Sequence, residues 1–407
     1  MTSRTVLVQL LLSTYGMGVQ GLARFVYTIL IGRILGLDAL GDVSAVLSLA
    51  VYLALVWPAG AAIAATRYLA TPETAALSIR ALHRSFWLPS LGLAVLAIPI
   101  TWWLTGDLIT AIASAVLVGS YNAYVFTRGV LTGEGRLLRA AVLDTLSALL
   151  TITVLLVVIA GRADWALLLP LSAGYLLFAV FSRSTTVPST EVSPLTREIL
   201  VFTREATFGA MVMGGLLPAT MIFVRVFDAP AAGLFSAALS LATPANIVAQ
   251  AVSQVLVPHF SRLRTDAAAM RSSLVRLFVL TFVGFTAVFG ALIVAAPWLL
   301  ETFYSNEAEK GAPAMQALLG IVYLLSMTSA PGALLLASGY ERLAARIWLG
   351  AFAVGTLAML VLAPLWGQMG ALVGYALGGG GGSLLIIMCA FLVPIRPERS
   401  RDAEPSA

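Results

Sequence analysis

Charge is the scarcest property of this chain. Only 11% of its residues are Asp, Glu, Lys or Arg, less than half of the roughly 25% usual for a soluble domain. A chain that is 60% hydrophobic cannot cover a globule with polar surface. A soluble enzyme, a disordered segment and a disulfide scaffold are therefore excluded. Cysteine is nearly absent too: Cys389 stands alone in an apolar run, so no intrachain disulfide exists. His83 and His259 lie far apart, with no cysteine cluster and no HExxH spacing. A protein-built zinc site needs closely spaced ligands, and these residues do not supply one. No GxxxxGK[ST], GxSxG or TVGYG occurs, which removes a nucleotide motor, a serine-hydrolase elbow and a potassium filter. No cofactor is implied by any motif. Lysine is reduced to Lys310 against 23 arginines. Those arginines fall at the ends of apolar runs rather than along one stripe, which is no nucleic-acid signature.

What remains is long, continuous hydrophobic runs. Crossing about 30 Å of hydrocarbon takes about 20 apolar residues in a helix. Twelve such runs are present, at 6–31, 41–65, 85–105, 108–128, 140–160, 164–182, 199–224, 231–256, 274–299, 312–336, 343–366 and 369–394. Their continuity excludes an outer-membrane barrel, whose strands alternate. Assigning loops alternately from a cytoplasmic N-terminus places 19 basic residues inside and 4 outside, with Arg24 alone within a span. Positive charge favours the cytoplasmic side, so both termini are predicted to be cytoplasmic, in a multi-pass protein of the plasma membrane. Trp102, Trp103, Trp165, Trp298 and Trp366 fall at outer ends, where amphipathic rings collect. Trp57, inside the second run, is the exception. The loops are too short to hold a folded catalytic domain, so whatever this chain does, it does with its helices.

The halves repeat. Gly41-Asp-Val-Ser-Ala-Val-Leu-Ser-Leu-Ala50 recurs as Gly233-Leu-Phe-Ser-Ala-Ala-Leu-Ser-Leu-Ala242, seven positions of ten matching at an offset of 192. A weaker echo pairs Thr132-Gly133 with Ser338-Gly339 after the fourth run of each half. The expected organisation is an N-terminal lobe of six helices over 1–182, a cytoplasmic linker over 183–198, a C-terminal lobe over 199–395 and a cytoplasmic tail over 396–407. Six crossings per half is even, which gives a parallel repeat about an axis along the membrane normal.

Polar residues inside spans are costly and face a bundle interior or a watery cavity. In the first run, Gln9, Ser13, Gly16, Gln20, Arg24 and Thr28 recur every three or four residues, which draws one helical face. The eighth carries Ser236, Ser240, Thr243, Gln250 and Gln254, with Asn246 beside them, and the second carries Ser44, Ser48 and Tyr52. The expectation is a polar cavity between the halves, with Arg24, Gln20, Gln9, Asn246 and Gln250 as substrate contacts. Arg24 reads as a cationic contact for an anionic headgroup, because its planar fork suits phosphate; the plainer alternative is a snorkelling or carboxylate-paired arginine. Asp144 and Glu205 are the ion-coupling candidates, against the alternative of structural pairing with an arginine such as Arg139 or Arg204. Pro58, Pro218, Pro244 and Pro331 lie within runs and are candidate kinks. The five glycines Gly378–Gly382, preceded by Gly370 and Gly374, suit close helix packing, with a hinge as the alternative.

The stretch GLARFVYTILIGRILGLDALGDVSAVLSLA (21–50) resembles the start of the polysaccharide-biosynthesis oligosaccharide flippases. There the first helix ends at an apolar-Gly-Arg-x-Leu-Gly turn, here Ile31-Gly32-Arg33-Ile34-Leu35-Gly36. LTGEGRLLRAAV (131–142) is similar to that family's fourth-to-fifth-helix connection. The resemblance places the chain in the multidrug/oligosaccharidyl-lipid/polysaccharide exporter superfamily. It implies an all-α polytopic fold of about 12 transmembrane helices, in two pseudo-symmetric lobes forming a V-shaped cavity. It also implies alternating access for an undecaprenyl-diphosphate-linked oligosaccharide, moved from the cytoplasmic to the outer leaflet. Arg24 is the position that matches the cavity arginines of such flippases. Glycosyltransferases and a polysaccharide polymerase are the implied partners beside the lipid bilayer and the polyprenyl-linked glycan. A drug or metabolite exporter of the same superfamily is the alternative; a membrane-embedded glycan polymerase or ligase ranks lower, since no outer loop is large enough for its catalytic groups.

Overall fold

The computed structural model describes residues 3–187, 195–263 and 266–394. Among them every regular element is a helix, with no strand. In chain order the first helices are α1 (Ser3–Ile34), α2 (Leu37–Val56), α3 (Pro58–Tyr68), α4 (Pro72–Thr105), α5 (Leu108–Gly133), α6 (Leu137–Ala160) and α7 (Leu169–Phe181). There follow α8 (Thr196–Gly214), α9 (Leu216–Phe227), α10 (Ala232–Arg262), α11 (Ala267–Phe303), α12 (Ala312–Met327), α13 (Ser329–Ala337), α14 (Glu341–Tyr375) and α15 (Gly381–Leu392). Eight described helical stretches are long and apolar enough to cross a membrane, and nine if the bent pair α8–α9 makes one span.

Three expected single runs are each broken in two, with proline just after the break. Pro58 opens α3 directly after Trp57, whose φ of −153° and ψ of −48° leave the helix. Pro218 follows the Gly214–Gly215 break, where the axis bends by 59°. Pro331 follows the break at Thr328. Proline has no N–H and fits the first turn of a new helix better than the interior of an old one. Pro244 does not interrupt α10.

The stretch Glu341–Leu392 is the converse case, 52 continuous residues. At 1.5 Å per residue they would extend about 78 Å, more than twice the hydrocarbon thickness. Gly367 turns the chain back, with φ 56° and ψ −132°, a conformation that glycine adopts without a Cβ clash. The two arms then run antiparallel. A Cβ on Gly374 would lie 2.7 Å from Met359 N, and one on Gly382 2.6 Å from the Ala351 Cβ. Tight packing is thus what Gly374 and Gly382 do. Between them Ala376–Gly380 forms one π-helical turn.

Trp57 explains its own misplacement. Pro89 lies inside α4 and cannot donate to the carbonyl of Ser85 four residues back. The Trp57 indole Nε1 donates to that carbonyl at 2.9 Å. The ring is thus used at a helix defect.

The chain divides into two compact units, Met1–Gly233 and Leu234–Ala407. In the first, α8 packs on α3 closely enough that a Cβ on Gly60 would stand 2.5 Å from the Thr203 carbonyl oxygen. Tyr68 donates to Glu198 Oε1 at 2.8 Å, and Ile199 joins a core with Phe86 and Phe126. The seventh expected span therefore packs with the first six in this structure. Asp42 pairs with Arg225 at 2.7 Å. The chain leaving α7 is anchored as well. Glu134 accepts the backbone N–H groups of Thr185 at 3.1 Å and Thr186 at 3.2 Å, and the hydroxyls of Ser184 and Thr186. Arg136 donates to the Arg183 carbonyl at 2.9 Å and Arg139 to that of Phe181 at 2.7 Å, cations placed where the end of α7 presents unpaired carbonyls.

Candidate functional site

The polar face of α1 turns toward α5, α6 and α7 of its own unit. Ser13, Gly16, Gln20 and Arg24 each meet a neighbour there, whereas the Thr28 hydroxyl donates to the Phe25 carbonyl of its own helix. The Ser13 carbonyl accepts from Arg128 at 3.3 Å. A Cβ on Gly16 would collide with the Asp144 carboxylate and come within 3.3 Å of the Arg128 guanidinium. Gln20, buried, donates from Nε2 to the Asp144 carbonyl at 3.0 Å and to Ser147 Oγ at 3.1 Å. One turn on, Arg24 donates from Nε to the Tyr175 hydroxyl at 2.7 Å. Its guanidinium carbon lies 4.9 Å from the Tyr121 ring centre and 5.5 Å from that of Tyr175. Tyr27 donates to the Leu167 carbonyl, tying the same helix to the start of α7.

Asp144 is fully buried on α6. Its Oδ2 accepts from Arg128 Nε at 3.2 Å, and its Oδ1 accepts from the Tyr124 hydroxyl at 3.0 Å. Tyr124 also packs 5.1 Å from Tyr175, so ring contacts and hydrogen bonds run unbroken from Arg128 and Asp144 to Arg24. The unit thus holds two arginines in different states. Arg128 is neutralised by a carboxylate. Arg24 is half-buried among tyrosines, and no ion pair is formed by it among the described residues. Chemically, the first is a fixed strut and the second a cation with tyrosines, and no carboxylate, around it.

Of the residues singled out by sequence, Arg24, Gln20 and Asp144 come together here. Glu205 does not: it is exposed on α8, without a described partner. The side chains of Gln9, Asn246 and Gln250 lie outside the described residues. Ser240, from the α10 stripe, bonds to the Tyr304 hydroxyl at 2.5 Å within the second unit. Sequence reasoning missed Arg128, which it counted with a cytoplasmic loop, and the tyrosines 121, 124 and 175. A signal existed: Tyr121, Tyr124 and Arg128 recur at i, i+3 and i+7, one face of a helix. Among the described residues no group of three His, Cys, Asp or Glu side chains is placed to hold a metal.

Outside the spans, burial works to raise the pKa of Glu134, but hydrogen bonds from Ser184, Thr186 and Arg136 outweigh it and hold the carboxyl below its ordinary value. Asp107, the N-cap of α5, is also lowered, by the hydroxyl and backbone N–H of Thr110.

Helices alone, spans enough for a multi-pass topology, and a cation set in a polar seam define an all-α polytopic membrane protein. The family model described as "Polysaccharide biosynthesis protein" matches residues 106–313, just over half of the chain. The chain belongs to that family. Its fold is shared with solved members of one transporter superfamily. It is similar to the lipid II flippase MurJ in an inward closed conformation, with a TM-score of 0.75 at 14% identity, covering 93% of this chain and 87% of that one. It is also similar to a multidrug resistance MATE family transporter of the MOP superfamily. The inward-facing form gives a TM-score of 0.69 at 17% identity, covering 91% and 93%. The outward-facing form gives 0.62 at 16%, covering 95% and 94%. No curated protein sequence matches the chain.

Proposed function

We propose that this protein moves an undecaprenyl-diphosphate-linked oligosaccharide from the cytoplasmic to the outer leaflet by alternating access, for surface polysaccharide synthesis. The observation that carries this reading is the contrast between Arg128 and Arg24. Arg128 is matched by Asp144; among the described residues, Arg24 is partnered by tyrosines. A permanent cation held within a span without a counter-ion is costly, and an anionic substrate group offsets that cost. The fork that remains on Arg24 after Nε is engaged suits a diphosphate. Membership of a polysaccharide-biosynthesis family supports a glycan cargo, and the MATE and flippase folds support transport. A polar glycan cannot cross hydrocarbon unaided, whereas a polyprenyl tail can remain in lipid beside the protein.

Gln20 acts in this scheme by fixing α1 on α6. Gln9, Asn246 and Gln250 are further candidate contacts. Asp144, buried and bonded to the same seam, is the better ion-coupling candidate; Glu205 is exposed. An ion biases transport only by binding the alternating states unequally.

The test is the sidedness of lipid-linked glycan in a deletion strain complemented with wild type or Arg24→Ala. A membrane-impermeant glycan-cleaving enzyme is applied to spheroplasts. The expected result is a protected inner-leaflet intermediate, cleared by wild type and retained with Arg24→Ala at equal membrane abundance. Clearance by the variant removes Arg24 from the mechanism. Unaltered sidedness on deletion, in a strain without a second flippase, favours small-molecule export.

A further inference from the structure

The antiparallel arms of α14 and α15 in the second unit leave a groove of about 610 Å³ on their outer side, within the usual range of ligand pockets. Its walls include Val354, Leu377 and Leu385, each about half exposed. Gly350 and Gly381 form part of its floor, and for both a Cβ would meet nothing within 4 Å. They differ in this from Gly374 and Gly382, whose missing Cβ atoms make room for the opposite arm. The packing of the arms does not require glycine at 350 and 381; the groove does. Arg346 closes one end of it. That side chain is exposed and has no partner among the described residues.

We infer that this groove is a binding site for one anionic glycerophospholipid, with its phosphate on Arg346 and one acyl chain lying over Gly350 and Gly381. Membrane helices of this composition have lipid as their outer neighbour, and the groove's one cation selects a negative headgroup. Length decides between lipid classes. From Arg346 to Val354 the groove rises about 12 Å, close to the roughly 15 Å of hydrocarbon in one leaflet. It accommodates an acyl chain of a lipid that stays in that leaflet, and is far too short for a long polyprenyl chain. The leaflet is the one bordered by the arginine-rich loops, cytoplasmic by the charge bias. The inference is independent of the proposed transport activity.

Native mass spectrometry of the full chain, released from nanodiscs of phosphatidylglycerol and phosphatidylcholine, tests it. Wild type is expected to retain phosphatidylglycerol over phosphatidylcholine. Arg346→Gln lowers that retention about fivefold, and Gly381→Leu abolishes it by filling the groove, with the melting temperature unchanged. Gly350→Leu serves as the second variant if Gly381→Leu does not fold. Equal retention of phosphatidylcholine, or unchanged retention in the variants, overturns the site. Displacement of phosphatidylglycerol from wild type by added undecaprenyl phosphate overturns the assigned occupant.

Discussion

Arg24 and Tyr175 face each other across 2.7 Å, guanidinium Nε to phenol oxygen. The bond fixes one edge of the fork and leaves the other available. Lysine in place of Arg24 keeps the charge but loses the planar fork and the ring contacts with Tyr121 and Tyr175. Arg24→Lys is expected to lower glycan export nearly as far as Arg24→Ala does. Tyr175→Phe keeps the ring and removes only the acceptor; a hydrogen bond to a charged group is worth about 1.5–3 kcal/mol, so export falls about ten- to hundredfold. Glycan appearing at the surface per unit of membrane protein is the readout.

Removing Asp144 leaves Arg128 in the bundle without its counter-ion. Loss of one partner of a buried pair costs about 3–5 kcal/mol, while replacing both by apolar groups is much milder. Asp144→Leu is therefore expected to lower the melting temperature in detergent strongly, and Asp144→Leu with Arg128→Leu to recover most of it. Additive losses would show that the two do not act as a pair.

Gly16 and Gly18 make an internal control. At Gly16 a methyl group strikes the Asp144 carboxylate; at Gly18 it meets nothing within 4 Å. Gly16→Ala should destabilise the protein, and Gly18→Ala should stabilise it by up to about 1 kcal/mol through helix propensity alone. Thermal unfolding of the two variants reads the sign directly.

The carboxyl of Glu134 is held below its ordinary value, and it bonds better when ionised. The anchoring of Ser184–Thr186 is thus fully present above the ordinary glutamate pKa of about 4.3 and is lost as pH falls through the lower, folded value. Hydrogen exchange at the Thr185 and Thr186 amides, corrected for its intrinsic pH dependence, should accelerate across that window. In Glu134→Gln the acceleration should be absent and protection already reduced at neutral pH.

The twelve runs were legible because lipid demands continuous apolar segments, a constraint that composition alone reveals. The polar face of α1 was legible for the same reason, and its inward direction followed from the cost of burying charge. Arg128 was not. It stands at the end of an apolar run, where positive-inside counting takes every arginine as a loop residue; only the depth of Asp144 on a neighbouring helix draws it inward. The tyrosines 121, 124 and 175 read as ordinary aromatic lining until Arg24 is placed among them. Linear spacing shows which face a residue occupies, and not which helix that face meets.

Trp57 and Pro89 carry a consequence for how this sequence can drift. While position 89 is proline, the Ser85 carbonyl has no donor of its own helix, and the indole N–H at 57 is needed. Once 89 becomes alanine, the helix supplies its own donor and 57 is released to vary. The reverse order, tryptophan lost first, passes through a variant with an unmet carbonyl inside the bundle. The two positions are therefore expected to change along a one-way path, proline before tryptophan, and homologues lacking the tryptophan are expected to lack the proline as well.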